Sequence, residues 1–267
     1  MPSAAVGDKP PPCGNGTRVN EIVAVIPAAG LATRLSPLPC SKELLPIGVD
    51  GELRPKVVSQ YLLDGLRDAG IRKVFFVLRR GKWDIPSYYG DGSALGLDLA
   101  YVLMRAPFGV PYTIDSAYPF IRGAHVAVGF PDILYEPPDV FRQVRERVER
   151  SSADGVVGVF PAPPPHLCDV VRLDGRGFVE EIVVKPPRSD LKLSWAVVIW
   201  SPRFTEFLHE HVTERVRSPE QEVSLGHVIQ AGIDAGFVFE SVTFERGRYT
   251  DAGTPEGLRQ AIRILGG

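Results

Sequence analysis

The sequence predicts an α/β fold: a mostly parallel central sheet with helices on both faces and a smaller antiparallel part. Three observations predict it. Short apolar runs rich in β-branched residues recur at 23–26, 73–78, 125–130 and 155–160, and they lack the polar alternation of half-exposed strands; that is the pattern of strands covered on both faces. Between the first two lies segment 57–70, where Val58, Tyr61, Leu62, Leu66 and Ala69 share one helical face and Gly70 closes it. Strand, helix and strand at this spacing form a βαβ unit with a right-handed crossover. Last, DVVRLD, a GRG turn and FVEEIVV read as an antiparallel hairpin that interrupts this rhythm.

In chain order, residues 1–20 are rich in proline and glycine and poor in groups that pack, so a flexible leader is expected and the fold starts near Asn20. Residues 21–267 then form a single domain, long enough at 267 residues in all for a substantial core. The run at 23–26 empties into a small-residue loop, Ala28, Ala29 and Gly30, followed by Arg34 and Lys42. Gly30 has no Cβ, so it permits a positive φ and close approach by an anion, and the two cations bring charge to the same loop. The loop is neither G-x-x-x-x-G-K-[ST] nor G-x-G-x-x-G leading into a helix. Pro37 and Pro39 forbid a regular helix here, so an irregular loop should run until order resumes near Lys42.

Further on, residues 87–103 hold a Gly-Asp-Gly turn and then a strand at 97–103, and 140–150 is an amphipathic helix whose arginines and glutamates form a solvated face. A stiff proline cluster at 161–166 precedes the hairpin, 194–200 is another strand, and 221–236 reads as a helix. Thr254 and Pro255 are an N-cap and a first helical residue for the final helix.

A net charge of −2 gives no general reason to bind nucleic acid or anionic lipid, and no run approaches a membrane span, so a small anionic partner is expected instead. Cys13, Cys40 and Cys168 are an odd set with no C-x-x-C pair, which suits a reduced, cytoplasmic protein. Cys40 lies within the basic loop and reads as a packing residue rather than a nucleophile.

Gly30, Thr33, Arg34, Leu35, Pro37, Ser41, Lys42, Leu44, Leu45 and Pro46 together resemble the signature of the sugar nucleotidyltransferases, most like the glucose-1-phosphate thymidylyltransferase branch. The final segment, with Tyr249, Asp251, Gly253, Thr254, Pro255, Glu256 and Leu258, is similar to the family's W-x-D-x-G-T-P-E-x-L. The resemblance implies a Rossmann-like sheet with a nucleotide-binding half at 21–160, a sugar-binding half at 161–248 and a closing segment at 249–267. It also implies an enzyme that transfers a nucleotidyl group from a nucleoside triphosphate, dTTP or UTP favoured, to a sugar 1-phosphate, with Mg²⁺ as cofactor and pyrophosphate as the other product. Homo-oligomer formation is left open.

By the same resemblance, Arg34, Lys42 and Lys185 are the catalytic cations. Ala28, Ala29, Gly30, Thr33, Met104, Pro107 and Gly109 lie against the nucleotide, Glu181, Lys185 and Trp195 against the sugar, and Asp132 and Asp251 ligate Mg²⁺. Bland readings stand beside these: a gap-filling Met104, a turn-capping Asp132, an exposed Lys185 at a strand end and a core-covering Trp195. The chain also departs from the family. Met104 stands where a glutamine is expected, and a thioether lacks an amide's paired donor and acceptor. Val184 stands where a glutamate holds sugar hydroxyls, so Glu180 or Glu181 takes over or the sugar differs. His227, at a position where an acid is common, reads as structural. The Met104 and Val184 departures support, as an alternative, a cytidylyltransferase or uridylyltransferase acting on another phosphorylated alcohol. A regulatory protein that binds nucleotide sugars without turnover is a second alternative, against which the retention of both cations and both acids argues.

Overall fold

The computed structural model describes residues 21–105, 107–215 and 223–265. The expected leader at 1–20, with Cys13, lies outside them, as do Gln221 and Glu222 at the start of the expected helix. The described chain runs β1 (Ile22–Ala28), an irregular stretch at 29–41, a single 3₁₀ turn (Lys42–Leu44), β2 (Pro46–Val49), β3 (Pro55–Val57), α1 (Val58–Asp68), β4 (Lys73–Leu78), α2 (Asp84–Tyr89) and β5 (Asp98–Leu103). It continues with α3 (Val110–Asp115), α4 (Tyr118–Ile121), β6 (His125–Val128), β7 (Ile133–Glu136), α5 (Val140–Glu149), β8 (Gly155–Pro161), β9 (Val170–Leu173), β10 (Val179–Val183) and β11 (Leu193–Trp200). The last elements are α6 (Pro202–Arg215), α7 (Leu225–Asp234), β12 (Phe239–Thr243), β13 (Arg248–Asp251) and α8 (Pro255–Leu265).

Nine strands make the main sheet. β6, β1, β4 and β5 lie side by side and parallel, so their carboxyl ends share one edge. β11 runs against β6 and also against β8 and β9, and β8 pairs in parallel with β12. The expected hairpin forms as β9 and β10, antiparallel, and joins the main sheet through β11.

Alternation along β1 explains the unbroken apolar run. Ala24, Ile26 and Ala28 face the core under α1 and α5, with Leu62, Leu66, Phe76 and Phe141. Val23 and Val25 face the other core, under α3, α6 and α7, with Trp200, Phe204 and Val228. A parallel strand between two helical layers has no solvated side, which is why periodicity at 23–26 is invisible. In α5, Val140, Phe141, Val144 and Val148 are buried, so its charges do lie on the outer face.

The strand read at 125–130 stops at Val128, because residues 129–132 turn out of the sheet. The helix read at 221–236 spans Leu225–Asp234, and Ser224 caps it by accepting the His227 N–H at 3.4 Å. Residues 50–54 form the tip of the β2–β3 hairpin; Asp50 Oδ1 accepts the Glu52 and Arg54 N–H groups at 2.8 and 2.9 Å. Against this hairpin, α1 and β7, the last helix closes a third small core of Ile47, Val58, Leu134, Ala252 and Ala261.

Candidate active site

The parallel strands end on one edge, and the chain uses that edge. β6 stops at Val128 and the following turn carries Asp132 beyond the sheet. β7 then pairs antiparallel with β13, with Asp251 opposite Ile133, and the Ala252 N–H donates to the Asp132 carbonyl at 2.8 Å. This two-stranded ribbon brings together two acids that are remote in sequence. A Cβ built on Gly253 would lie 2.5 Å from Asp132 Oδ2, 2.9 Å from Asp251 Oδ1 and 3.3 Å from Lys42 Nζ. All three groups therefore crowd around one glycine.

Their charges are coupled. Burial raises the Asp251 carboxyl above the usual carboxylate range and Asp132 raises it further, while Lys42 and Arg34 act in the opposite sense. Lys42 Nζ is hydrogen-bonded to Asp132 Oδ2. Burial alone would lower the Lys42 pKa, but Asp132, Glu43 and Asp251 more than offset it, so the ammonium is held charged.

Lys42 is seated by its neighbours on either side. The Asp84 carboxylate accepts from the Ser41 N–H at 2.6 Å and from Ser41 Oγ at 2.7 Å. Glu43, fully buried, takes both its carboxylate bonds from Lys82 Nζ at 2.6 and 2.7 Å, and its carbonyl accepts from Ser59 Oγ at 2.6 Å. A single 3₁₀ turn has little stability of its own, so these anchors fix where Lys42 points.

The small-residue loop leaves β1 at the same edge. Ala28 is buried, Ala29 half-buried, and Gly30, Thr33 and Arg34 are exposed. The positive φ expected at Gly30 is absent; the left-handed residue is Ala32, at φ 55°, whose carbonyl accepts the Leu35 and Ser36 N–H groups at 3.0 and 3.1 Å. Nothing lies within 4 Å of a Cβ built on Gly30, so the fold itself does not require glycine there. Burial, then Asp84 and Glu43, raise the Cys40 thiol, and its side chain packs on the core, as expected of a packing residue.

Met104 continues the sheet edge, its N–H donating to the Leu78 carbonyl at 2.8 Å while its side chain packs on the core below α3. Pro107 is exposed. Gly109 takes φ 114° and abuts the backbone of Val223, where any Cβ would collide. Packing thus accounts for this glycine without a ligand.

A second group gathers beyond β9 and β10. Lys185 is exposed and left-handed, at φ 40°. Beside it stands Asp169, whose carboxyl is raised by burial against the opposing influence of Lys185, His227 and Trp195. Trp195 is buried and its ring packs against Phe130, centroids 6.3 Å apart. His227 bonds back to Ser224 as part of the α7 cap, in keeping with a structural histidine. Glu181 does not join this group. Its carboxylate accepts from Arg172 at 3.1 Å across the hairpin. Asp169 is an acid in this group that sequence reasoning did not single out. Its only signal is an acid directly before a strand, after a proline-rich connection.

Among known proteins, a nucleotidyl transferase family model matches residues 23–266. A glucose-1-phosphate thymidylyltransferase of Streptomyces antibioticus is 28% identical, covering 91% of this chain, and the chain spans 65% of that relative's length. A UTP–glucose-1-phosphate uridylyltransferase of Bacillus subtilis is 26% identical over 70% of this chain and 73% of its own. In three dimensions, a glucose-1-phosphate thymidylyltransferase structure from Bacillus anthracis superposes with a TM-score of 0.79 at 18% identity, covering 91% of this chain and 95% of that one, and so shares the fold. With the sheet, the shared edge and a family match over nearly its whole length, the chain belongs to the nucleotidyl transferase family.

Proposed function

We propose that the protein transfers a nucleotidyl group from a nucleoside triphosphate to a sugar 1-phosphate, releasing pyrophosphate and leaving a nucleotide sugar. The observation that carries this reading is the convergence of Asp132, Asp251 and Lys42 around Gly253 at the carboxyl edge of the parallel strands. Thymidylyl and uridylyl transfer are favoured over the other bases by the relatives named above.

Mg²⁺ fits the residues present. Asp132 and Asp251 offer hard oxygen donors side by side, and the burial and mutual repulsion that raise Asp251 are what a divalent cation would offset. Among the described residues no third acid, histidine or cysteine joins them, which suits an ion that keeps water and substrate phosphate as its other ligands. Bound there, the cation would supply charge neutralisation at the α-phosphate.

The remaining chemistry belongs to the chain's own groups. An oxygen of the sugar phosphate attacks the α-phosphorus, the bond to the bridging oxygen breaks, and pyrophosphate leaves with the electron pair. The attacking oxygen is already anionic, so no general base and no covalent enzyme intermediate is needed. Catalysis then rests on positioning and charge stabilisation. Lys42, held charged, steadies the phosphates near the attacked centre, and Arg34, exposed on its loop, withdraws charge from the leaving pyrophosphate. Lys185 counters the repulsion between the incoming phosphate and the triphosphate. Ala28, Ala29, Gly30 and Thr33 line the phosphates, and the edge formed by Met104, Pro107 and Gly109 faces the base.

The test is pyrophosphate release from each nucleoside triphosphate paired with a panel of sugar 1-phosphates, with Mg²⁺ and with excess chelator. Release that needs a sugar phosphate and is abolished by chelation is expected. No release with any pair would refute the reading.

A further inference from the structure

Asp169 and Trp195 form a pair that the reaction scheme above leaves without a task. Trp195 is only 7% exposed, and its indole Nε1 has no hydrogen-bond partner. It stands beside the Asp169 carboxyl without reaching hydrogen-bonding geometry. Lys185 and His227 also face that carboxyl, and neither closes to a salt bridge with it. A buried donor without an acceptor costs about 1–3 kcal/mol, so the arrangement calls for a reason.

The surroundings show where the pair faces. Asp169 Oδ2 and Val184 Cγ2 both press on Gly226 in the first turn of α7, where any Cβ would collide with the carboxylate. The Trp195 ring touches Phe130, two residues from Asp132. The neighbouring Ser194 Oγ lies 2.9 Å from the Tyr249 hydroxyl, two residues from Asp251. Lys185, held in the left-handed region, follows two residues after the end of β10. The pair thus lies between the acid pair and the lysine assigned to the sugar phosphate.

Given the function proposed above, on which this step rests, we infer that Asp169 and the Trp195 indole together read one hydroxyl of the sugar, in place of the glutamate that Val184 replaces. A hydroxyl both donates and accepts, so it satisfies the two at once: it accepts from the indole N–H and donates to the carboxylate. A deoxy position satisfies neither and leaves the buried indole N–H without an acceptor beside the half-buried carboxylate. Sites built in this way reject the analogue lacking the hydroxyl far more strongly than an apolar pocket rejects a methylene.

The experiment measures kcat and KM for hexose 1-phosphates and their monodeoxy analogues at saturating triphosphate, in the parent, Asp169→Asn and Trp195→Phe. At one ring position the parent should favour the hydroxylated substrate by about 100-fold or more in kcat/KM. Both variants should raise the KM for the sugar 1-phosphate by about 10-fold or more, erase most of that preference and leave the KM for the triphosphate unchanged. Trp195→Phe removes the N–H together with part of the indole but keeps an aromatic ring on the Phe130 side. With a thermal melt to show that it folds, it carries the test even if Asp169→Asn does not fold. Turnover in which the variants keep the parent's preference would overturn this inference and leave the proposed function standing. A parent that releases no pyrophosphate with any pair would overturn both.

Discussion

Gly253→Ala is the sharpest probe of the converged site. The added methyl would sit 2.5 Å from Asp132 Oδ2 and 2.9 Å from Asp251 Oδ1, with Lys42 Nζ next at 3.3 Å. Gly253 has no positive φ, so alanine fits the backbone, and every clash falls on a side chain of the site. Restoring ordinary contact requires the Asp132 carboxylate to retreat by about 0.9 Å. A misplacement of about 1 Å in a site that works by positioning costs on the order of 100-fold in rate, or about 2.7 kcal/mol of transition-state stabilisation. The expected result is a kcat lower by about that factor, with a melting temperature within a few degrees of the parent. Steady-state pyrophosphate release and a thermal melt on the same preparation separate lost activity from lost fold. Parental kcat in a folded variant would show that the crowding around Gly253 has no bearing on the chemistry.

Other perturbations follow from the same geometry. Arg34 is exposed, so Arg34→Ala should leave the melting temperature unchanged while lowering kcat by roughly 100- to 1,000-fold; near-parental turnover would remove this loop from the mechanism. Burial would raise the Asp84 carboxyl, but the Ser41 N–H and hydroxyl outweigh it and hold it below the usual range. Its stabilisation is therefore present above the ordinary carboxylate pKa and lost as pH falls through the depressed one. Asp84→Ala should cost about 1–3 kcal/mol near neutrality, and the gap to the parent should narrow on acidification in pH-dependent denaturant melts. Glu43 and Lys82 form an ion pair whose side chains are 0% and 4% exposed. Glu43→Gln should cost about 3–5 kcal/mol by leaving a buried ammonium without its counter-charge, whereas Glu43→Met with Lys82→Met should cost less, as urea titration would read.

Local pattern carried much of the fold. β4 occupies 73–78 as read, and the β9–β10 hairpin falls on the two runs flanking the GRG turn, because periodicity and turn chemistry are local signals. The β7–β13 ribbon was not legible. Its strands are four residues each and each finds its partner far along the chain, so nothing near 133–136 or 248–251 announces a pairing. Motif alone singled out Lys42, Asp132 and Asp251, and the structure brings these three together, but it does so through that ribbon. Glycines misled in two ways. Gly30 suggested a positive φ that Ala32 adopts instead, and the strained φ of Gly109 serves its contact with Val223. Asp169 did not stand out in the sequence, because what sets it apart is its place beside Trp195 and Gly226, which no spacing rule links to it.

β11 bonds to β9 at one end and to β6 at the other, with β8 along its flank. The strands leading to Lys185 and those leading to Asp132 are therefore stitched into one ladder, and two rigid lobes swinging apart on a hinge would have to tear it. Entry and exit of so large a product should fall instead to the irregular stretch at 29–41. Hydrogen exchange would then be fast along that stretch and slow throughout Leu193–Trp200, whatever is bound.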